Sequence, residues 1–132
     1  MADDLARAFT AAYRPYVESA LRDRHVDPAD FHQAIAEGEE WLATELTALL
    51  ALPFSHQPRG PLEVFQEAMR FPTSALDQAG APPADRDEVA VNALPGDVYD
   101  LAPASSRDLG EEAWAAHLRW GARKAQVLRD GE

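Results

Sequence analysis

The chain has no cysteine among its 132 residues, and this absence removes three kinds of chemistry. It excludes disulfide bonds, zinc sites with cysteine ligands and thiol nucleophiles. Long apolar runs are also missing, because the longest nearly apolar stretch, 46–54, is far shorter than the ~20 residues of a membrane-spanning helix. The Met-Ala-Asp-Asp start lacks the positive charge of a secretory signal, so we expect a cytoplasmic protein with no membrane partner.

Glycine-rich loops and catalytic spacings are absent as well. The seven glycines form no phosphate-binding loop, and no serine stands in a Gly-x-Ser-x-Gly pattern. The histidines show neither the Glu-x-x-His spacing of a di-iron bundle nor a His-Glu-x-x-His motif. We therefore predict no metal site, no cofactor and no catalytic residue, and a non-enzymatic protein is favoured over an enzyme.

Basic residues are scarce, since 12 Lys and Arg against 23 Asp and Glu give a net charge of −11. The imbalance is concentrated in residues 25–58, which hold six acidic residues and no Lys or Arg. Such a surface repels nucleic acid, whose binding needs Lys and Arg at the phosphates. The acidic segment is either a solvated face that keeps the chain in solution or a docking surface for a basic partner.

What the chain does have is a helical period over most of its length, which predicts an all-α fold. The periodic stretches cover about 3–24, 28–52, 61–80 and 106 onwards. Prolines should kink or split the first stretch at Pro15 and bend or break the third at Pro72. Residues 80–107 hold four prolines and no helical period, and they predict a long crossing loop ordered by its apolar residues. We predict one domain, 1–132, with a four-helix, bundle-like architecture.

Each helical stretch has an apolar face that we expect to be buried. On the first helix this face consists of Leu5, Phe9, Ala12, Tyr16 and Ala20. On the second it consists of Phe31, Ile35, Gly38, Leu42, Leu46 and Leu49. On the last it consists of Trp114, Leu118, Gly121, Ala125 and Leu128. Glycine in a helix interior costs about 1 kcal/mol relative to alanine, so Gly38 and Gly121 indicate close approach of a neighbouring group.

Two places in the sequence are candidate binding sites. Glu45 lies in the predicted buried arc of the second helix, where it either pairs with an arginine or serves as the carboxylate of a ligand pocket. The polar connection 55–61 carries His56 and Arg59 just before the start of the third helix. Arg59 and the exposed amides there form a candidate anion site, and the alternative is an ordinary connection between helices.

Trp120 is a candidate interface residue. With Val127 it lies on the edge of the predicted buried arc of the last helix, where an amphipathic aromatic side chain is typical of a contact between subunits. We therefore predict a homodimer that uses this edge. Two functions remain open: a protein-interaction or regulatory module, which we favour, and a helical bundle that binds a small ligand or anion through Glu45, His56 and Arg59.

Overall fold

A computed structural model describes residues 2–82, 99 and 101–131 of the chain. Within these ranges the protein has five α-helices, three short 3₁₀ turns and no strand, which confirms the predicted all-α, bundle-like fold. The helices are α1 (Ala2–Asp23), α2 (His32–Leu50), α3 (Pro61–Ala68), α4 (Arg70–Gln78) and α5 (Glu111–Asp130). Helices α3 and α4 are the two halves of the third predicted helix.

Helix α1 lies at the centre of the fold, in contact with both α2 and α5. Its buried stripe takes every fourth residue: Leu5, Phe9, Tyr13, Val17 and Leu21. The predicted stripe was therefore wrong after Phe9, because Ala12, Tyr16 and Ala20 lie half-buried at its side. The helix also continues through Pro15, which is exposed together with Ala11, so water can solvate the carbonyl that Pro15 cannot bond.

Helix α2 begins and is buried as its sequence predicts. The Asp27 carboxylate accepts a hydrogen bond of 3.0 Å from the backbone N–H of Ala29, at the start of a 3₁₀ turn, Pro28–Phe31, that leads into α2. Phe31 in that turn is half-buried. The other five predicted core residues are buried, and Leu50 joins them: Ile35, Gly38, Leu42, Leu46, Leu49 and Leu50.

The break between α3 and α4 falls at Met69, one turn before the proline that causes it. Pro72 has no N–H for the carbonyl of Ala68, which an unbroken helix would use. The buried Tyr13 hydroxyl from α1 donates to this carbonyl at 2.7 Å instead. Gly38 on α2 makes room for that hydroxyl, because a Cβ there would lie 2.0 Å from the Tyr13 oxygen. Three helices are thus joined at one hydrogen bond.

Of the predicted crossing loop, the structure describes residues 80–82, 99 and 101–107. Gly80 has φ of +75° and ends α4, with the Ala81 N–H donating to the Leu76 carbonyl at 3.0 Å. Tyr99 and Leu101 are buried in the core. The other apolar residues of this loop, Val89, Val91, Leu94 and Val98, lie outside the described residues.

Candidate functional site

A cavity of about 550 Å³ lies between α5 and the connection that follows α2. The connection starts where α2 ends at Leu50, and it includes a 3₁₀ turn, Phe54–His56, that contacts α5. Its apolar wall is formed by side chains of Leu50, Phe54 and Val127, with Ala116 between them. Pro53 helps to keep this wall in place, because it prevents α2 from continuing past the cavity.

Two of the residues that line this cavity each hold a buried polar atom without a hydrogen-bond partner. These atoms are the indole N–H of Trp120 and the side-chain carbonyl oxygen of Gln57, and both are shielded from solvent. Gln57 is held in place because its amide nitrogen donates to the Leu52 carbonyl at 3.0 Å. Trp120 packs against Phe54 at 6.0 Å between ring centroids, with the Lys124 ammonium 5.1 Å from its ring. In native proteins such orphaned polar atoms are few and call for a partner.

The charged residues around this cavity are mainly basic, although the whole chain is acidic. Arg119 and Arg123 from α5 both line it, and among the described side chains Asp4 is the one acidic residue in its lining. The Asp4 carboxylate is 3.0 Å from the guanidinium of Arg7, so its charge is already balanced.

An aromatic cluster next to the cavity surrounds His117. The imidazole stacks on the rings of Phe9 and Trp114, with 6.3 Å and 5.8 Å between ring centroids. It also contacts the ring of Trp120, with 5.8 Å between centroids. Its Nδ1 lies 3.2 Å from the Oγ of the buried Ser106. Burial lowers the pKa of His117, because the charged imidazolium loses solvation among these rings.

The lowered pKa of His117 predicts that the protein loses stability in mild acid. Between the folded pKa and the unfolded value of about 6.5, the unfolded chain binds more protons, so the free energy of unfolding falls as pH decreases through this range. We expect His117→Gln to reduce this fall, measured by chemical denaturation at several pH values. His56→Gln, at an exposed histidine, should leave the fall unchanged. If the free energy of unfolding of His117→Gln fell with pH as much as that of the unaltered chain, the prediction would be contradicted.

The structure brings two of the predicted site residues together. The guanidinium of Arg59 lies 3.6 Å from the Glu45 carboxylate and also pairs with Glu67, which in turn lies 3.6 Å from Arg70. Glu45 is 40% exposed, so it is not the buried carboxylate that the helical arc predicted. It has the arginine partner that the alternative interpretation required, and this partner comes from the connection before α3.

The other two predicted site residues lie apart from this ion-pair chain. His56 is exposed in the 3₁₀ turn before α3 and does not line the cavity. Trp120 lines the cavity with its indole turned toward Phe54, so it is a wall residue rather than an outward-facing contact. Anion binding at Arg59 and His56 stays a prediction, and the charge of Arg59 is already shared by two carboxylates.

The outer face of α5 carries the residues that the sequence analysis predicted to be buried in the core. Leu118 is 52% exposed and Leu128 is 47% exposed, Ala125 is exposed, and the space around Gly121 is open. The buried face of α5 carries Ala113 and Ala116 instead. The prediction of the inner face was therefore wrong, and α5 presents an apolar stripe that is exposed at Leu118, Ala125 and Leu128, whereas Trp114 at its start is half-buried against His117. We call it the outer stripe, and it consists of Trp114, Leu118, Gly121, Ala125 and Leu128.

Sequence reasoning missed Gln57 as a site residue. A glutamine in a polar connection is ordinary, and no spacing or motif marks it. Its burial depends on α5 packing over the connection, which no local pattern reports.

Comparisons with known proteins assign neither a family nor a function to this chain. Neither protein-family models, nor curated proteins, nor solved structures gave a match to this chain. In the described ranges, no three His, Asp or Glu side chains come together in a way that could hold a metal ion. No described helix has the length and apolar character needed to cross a membrane.

Proposed function

We propose that this protein is a non-enzymatic, cytoplasmic interaction module that forms a homodimer through the outer stripe of α5. The observation that carries the proposal is the exposure of this stripe, with two leucines about half exposed on a helix that packs on the core through its opposite face. An apolar stripe of this length on a helix is typical of a protein contact.

The spacing of the outer stripe supports a second helix as its partner. Its residues follow each other at steps of four, three, four and three, which is the repeat of a helix-to-helix seam. Plotted at 100° per residue, they fall within an arc of about 80°. Gly121 and Ala125 leave little side-chain volume at the middle of the seam, so two helices can approach closely there.

The charges beside the outer stripe support a second copy in antiparallel orientation. Glu111 and Arg129 lie at opposite ends of α5, both about 60° to the same side of the stripe. In an antiparallel pair related by a twofold axis near Gly121, Glu111 of each copy faces Arg129 of its partner. A parallel pair would instead place Glu111 of one copy and Arg129 of the other at opposite ends of the seam, so this pairing would be lost.

A competing surface, the acidic helix α2, has less support. Of its four glutamates, Glu39 lies 3.3 Å from Arg14 and Glu45 lies 3.6 Å from Arg59. Only Glu37 and Glu40 are fully exposed. Arginines from elsewhere in the fold thus balance part of the acidic face that the sequence offered to a basic partner.

Light scattering at increasing concentration tests the homodimer. We expect a mass of twice 14.5 kDa for the protein and a single-chain mass for Leu118→Glu, because a charge in the seam cannot be buried. Leu52→Glu is a matched control, since Leu52 is 44% exposed and lies outside the stripe. A protein that stays a single chain at high concentration, or a Leu52→Glu variant that dissociates equally, would refute the proposal.

Cysteine cross-linking tests the antiparallel orientation, and the chain is suited to it because it has no cysteine of its own. Leu118 and Ala125 are separated by about 10 Å along the helix axis, too far for a disulfide between equivalent positions of an antiparallel pair. We expect Leu118→Cys and Ala125→Cys to cross-link only when mixed. Cross-linking of either variant with itself would identify a parallel pair.

A further inference from the structure

We propose that mild acid weakens the α5 homodimer, because protonation of His117 places two positive charges against each other in the contact between the copies. The inference rests on the proposed function, since it concerns the antiparallel contact through the outer stripe. It adds a pair of residues that the stripe itself does not contain: His117 of one copy and Lys124 of the partner subunit.

His117 and Lys124 lie on the side of the outer stripe opposite Glu111 and Arg129. At 100° per residue, His117 is about 60° and Lys124 about 80° from the centre of the stripe. The twofold axis that pairs Glu111 with Arg129 passes midway between them, near position 120. This axis places His117 opposite position 123, one residue or about 1.5 Å along the helix from Lys124 of the partner subunit. The register that gives an attractive pair on one side of the seam therefore gives a titratable pair on the other.

The groups that hold His117 in place carry no charge. The imidazole is half-buried, and it stacks on Phe9 of α1 and contacts two tryptophans of α5. Its Nδ1 lies 3.2 Å from the Ser106 hydroxyl oxygen, in the 3₁₀ turn that precedes α5 (Ser106–Leu109). These contacts fix the ring at the edge of the stripe and leave a charge on it uncompensated.

Two cations lie against the aromatic rings around His117. Arg107, from the 3₁₀ turn before α5, is 5.0 Å from the centre of the Trp114 ring, and the Lys124 ammonium is 5.1 Å from that of Trp120. An imidazolium would be a third positive charge beside the same rings. Burial among them already lowers the pKa of His117. In the antiparallel pair, Lys124 of the partner subunit adds one more cation.

The described carboxylates of the surrounding elements do not offset this charge. In the turn before α5, Asp108 accepts the backbone N–H groups of Ala104 and Ser105 at 3.0 and 3.1 Å. On α1, Asp4 pairs with Arg7 at 3.0 Å. The acidic residues of α5 itself lie about 120° or more around the helix from His117, and they are Glu111, Glu112 and Asp130.

The sign of the pH effect follows from these charges. The imidazolium is disfavoured more in the dimer than in the single chain, because only the dimer brings a second Lys124 beside it. The dimer therefore binds fewer protons than two single chains. Its Kd rises as pH falls through the folded pKa of His117, which lies below the ordinary value of about 6.5.

Sedimentation equilibrium of the full chain at about pH 7.5 and about pH 5, on either side of this range, measures the effect. We expect the Kd of the dimer to be about tenfold higher in acid, since two histidines titrate in each dimer. Lys124→Gln should reduce this rise. Lys124→Glu should reverse it, because the protonated histidine then faces a carboxylate. His56→Gln, at an exposed histidine outside α5, is the control and should keep the full rise.

The outcomes separate this inference from the proposed function. A chain that stays single at both pH values refutes the homodimer and the pH effect together. A dimer with the same Kd at both pH values, or with a lower Kd in acid, overturns the pH effect and leaves the homodimer intact. A Lys124→Glu dimer that weakens in acid as much as the unaltered dimer also overturns it, because acid would then act through folding rather than through the contact.

Discussion

Replacing Gly38 by alanine is expected to lower the free energy of unfolding by about 3 kcal/mol, although alanine is normally the better helix former by about 1 kcal/mol. The new Cβ would lie 2.0 Å from the Tyr13 hydroxyl oxygen and 2.7 Å from the ring carbon that bears it. Tyr13 is completely buried, so it can move only by disturbing the core. Overpacking of this kind costs about 1–3 kcal/mol.

The hydrogen bond of Tyr13 adds to this cost. Any movement of the ring withdraws its hydroxyl from the Ala68 carbonyl, which cannot accept the usual helical hydrogen bond because Pro72 lacks an N–H. A buried carbonyl left without a partner costs about 1–3 kcal/mol. Burial and the nearby charge of Glu39 also raise the pKa of Tyr13, so the hydroxyl stays protonated and keeps donating.

A double-mutant cycle identifies the clash as the cause. In a Tyr13→Phe background the oxygen that would meet the Cβ is gone, so Gly38→Ala should cost at least about 1 kcal/mol less than in the unaltered chain. Gly121→Ala is the matched control, because nothing lies within 4 Å of its Cβ and it should stabilise a dilute, single-chain sample. Chemical denaturation gives the free energy of unfolding of the unaltered chain, the two single variants and the double variant. Additive effects of Tyr13→Phe and Gly38→Ala would contradict this account.

The sequence predicted the helices well because their signals are local. Asp27 caps the segment before α2 and Gly80 ends α4, as their positions in the sequence indicate. The break near Pro72 was also predictable, and its place at Met69 follows from the carbonyl four residues before the proline. What the sequence did not show is that Tyr13, which is 55 residues away, supplies the missing donor.

The assignment of buried faces was less successful on α5 than on α2. Helix α2 has one apolar arc, so its period points to a single inner face. Helix α5 has two, one through Leu118 and Leu128 and another through Ala116, Trp120 and Val127. Hydrophobicity favours the first, but packing against α1 and the connection selects the second, where the small Ala116 allows close approach. A helix with two apolar faces can pack on the core with one face and present the other to a second chain. The two apolar arcs in the sequence of α5 therefore indicate a surface of this kind.

Replacing Phe65 by alanine is expected to remove about 3–5 kcal/mol from the free energy of unfolding, the usual cost of emptying a large aromatic site in a core. Phe65 on α3 is completely buried, and its ring meets Phe9 at 6.2 Å, Tyr13 at 5.5 Å and Tyr16 at 5.8 Å in edge-to-face geometry. All three partners lie on α1. The ring therefore holds α3 against the central helix, and its loss leaves a cavity that three rigid aromatic rings cannot close.

Thermal and chemical denaturation measure the Phe65→Ala effect, with Leu62→Ala as the control on the same helix, where the side chain is only half-buried. We expect the control to lose less than half as much, because its site is open to solvent on one side. Domains of this kind have a total stability of about 5–15 kcal/mol, so Phe65→Ala brings the chain close to unfolding at elevated temperature. A loss equal to that of Leu62→Ala would mean that the α1 aromatic cluster collapses around the gap and that its packing is less rigid than the geometry indicates.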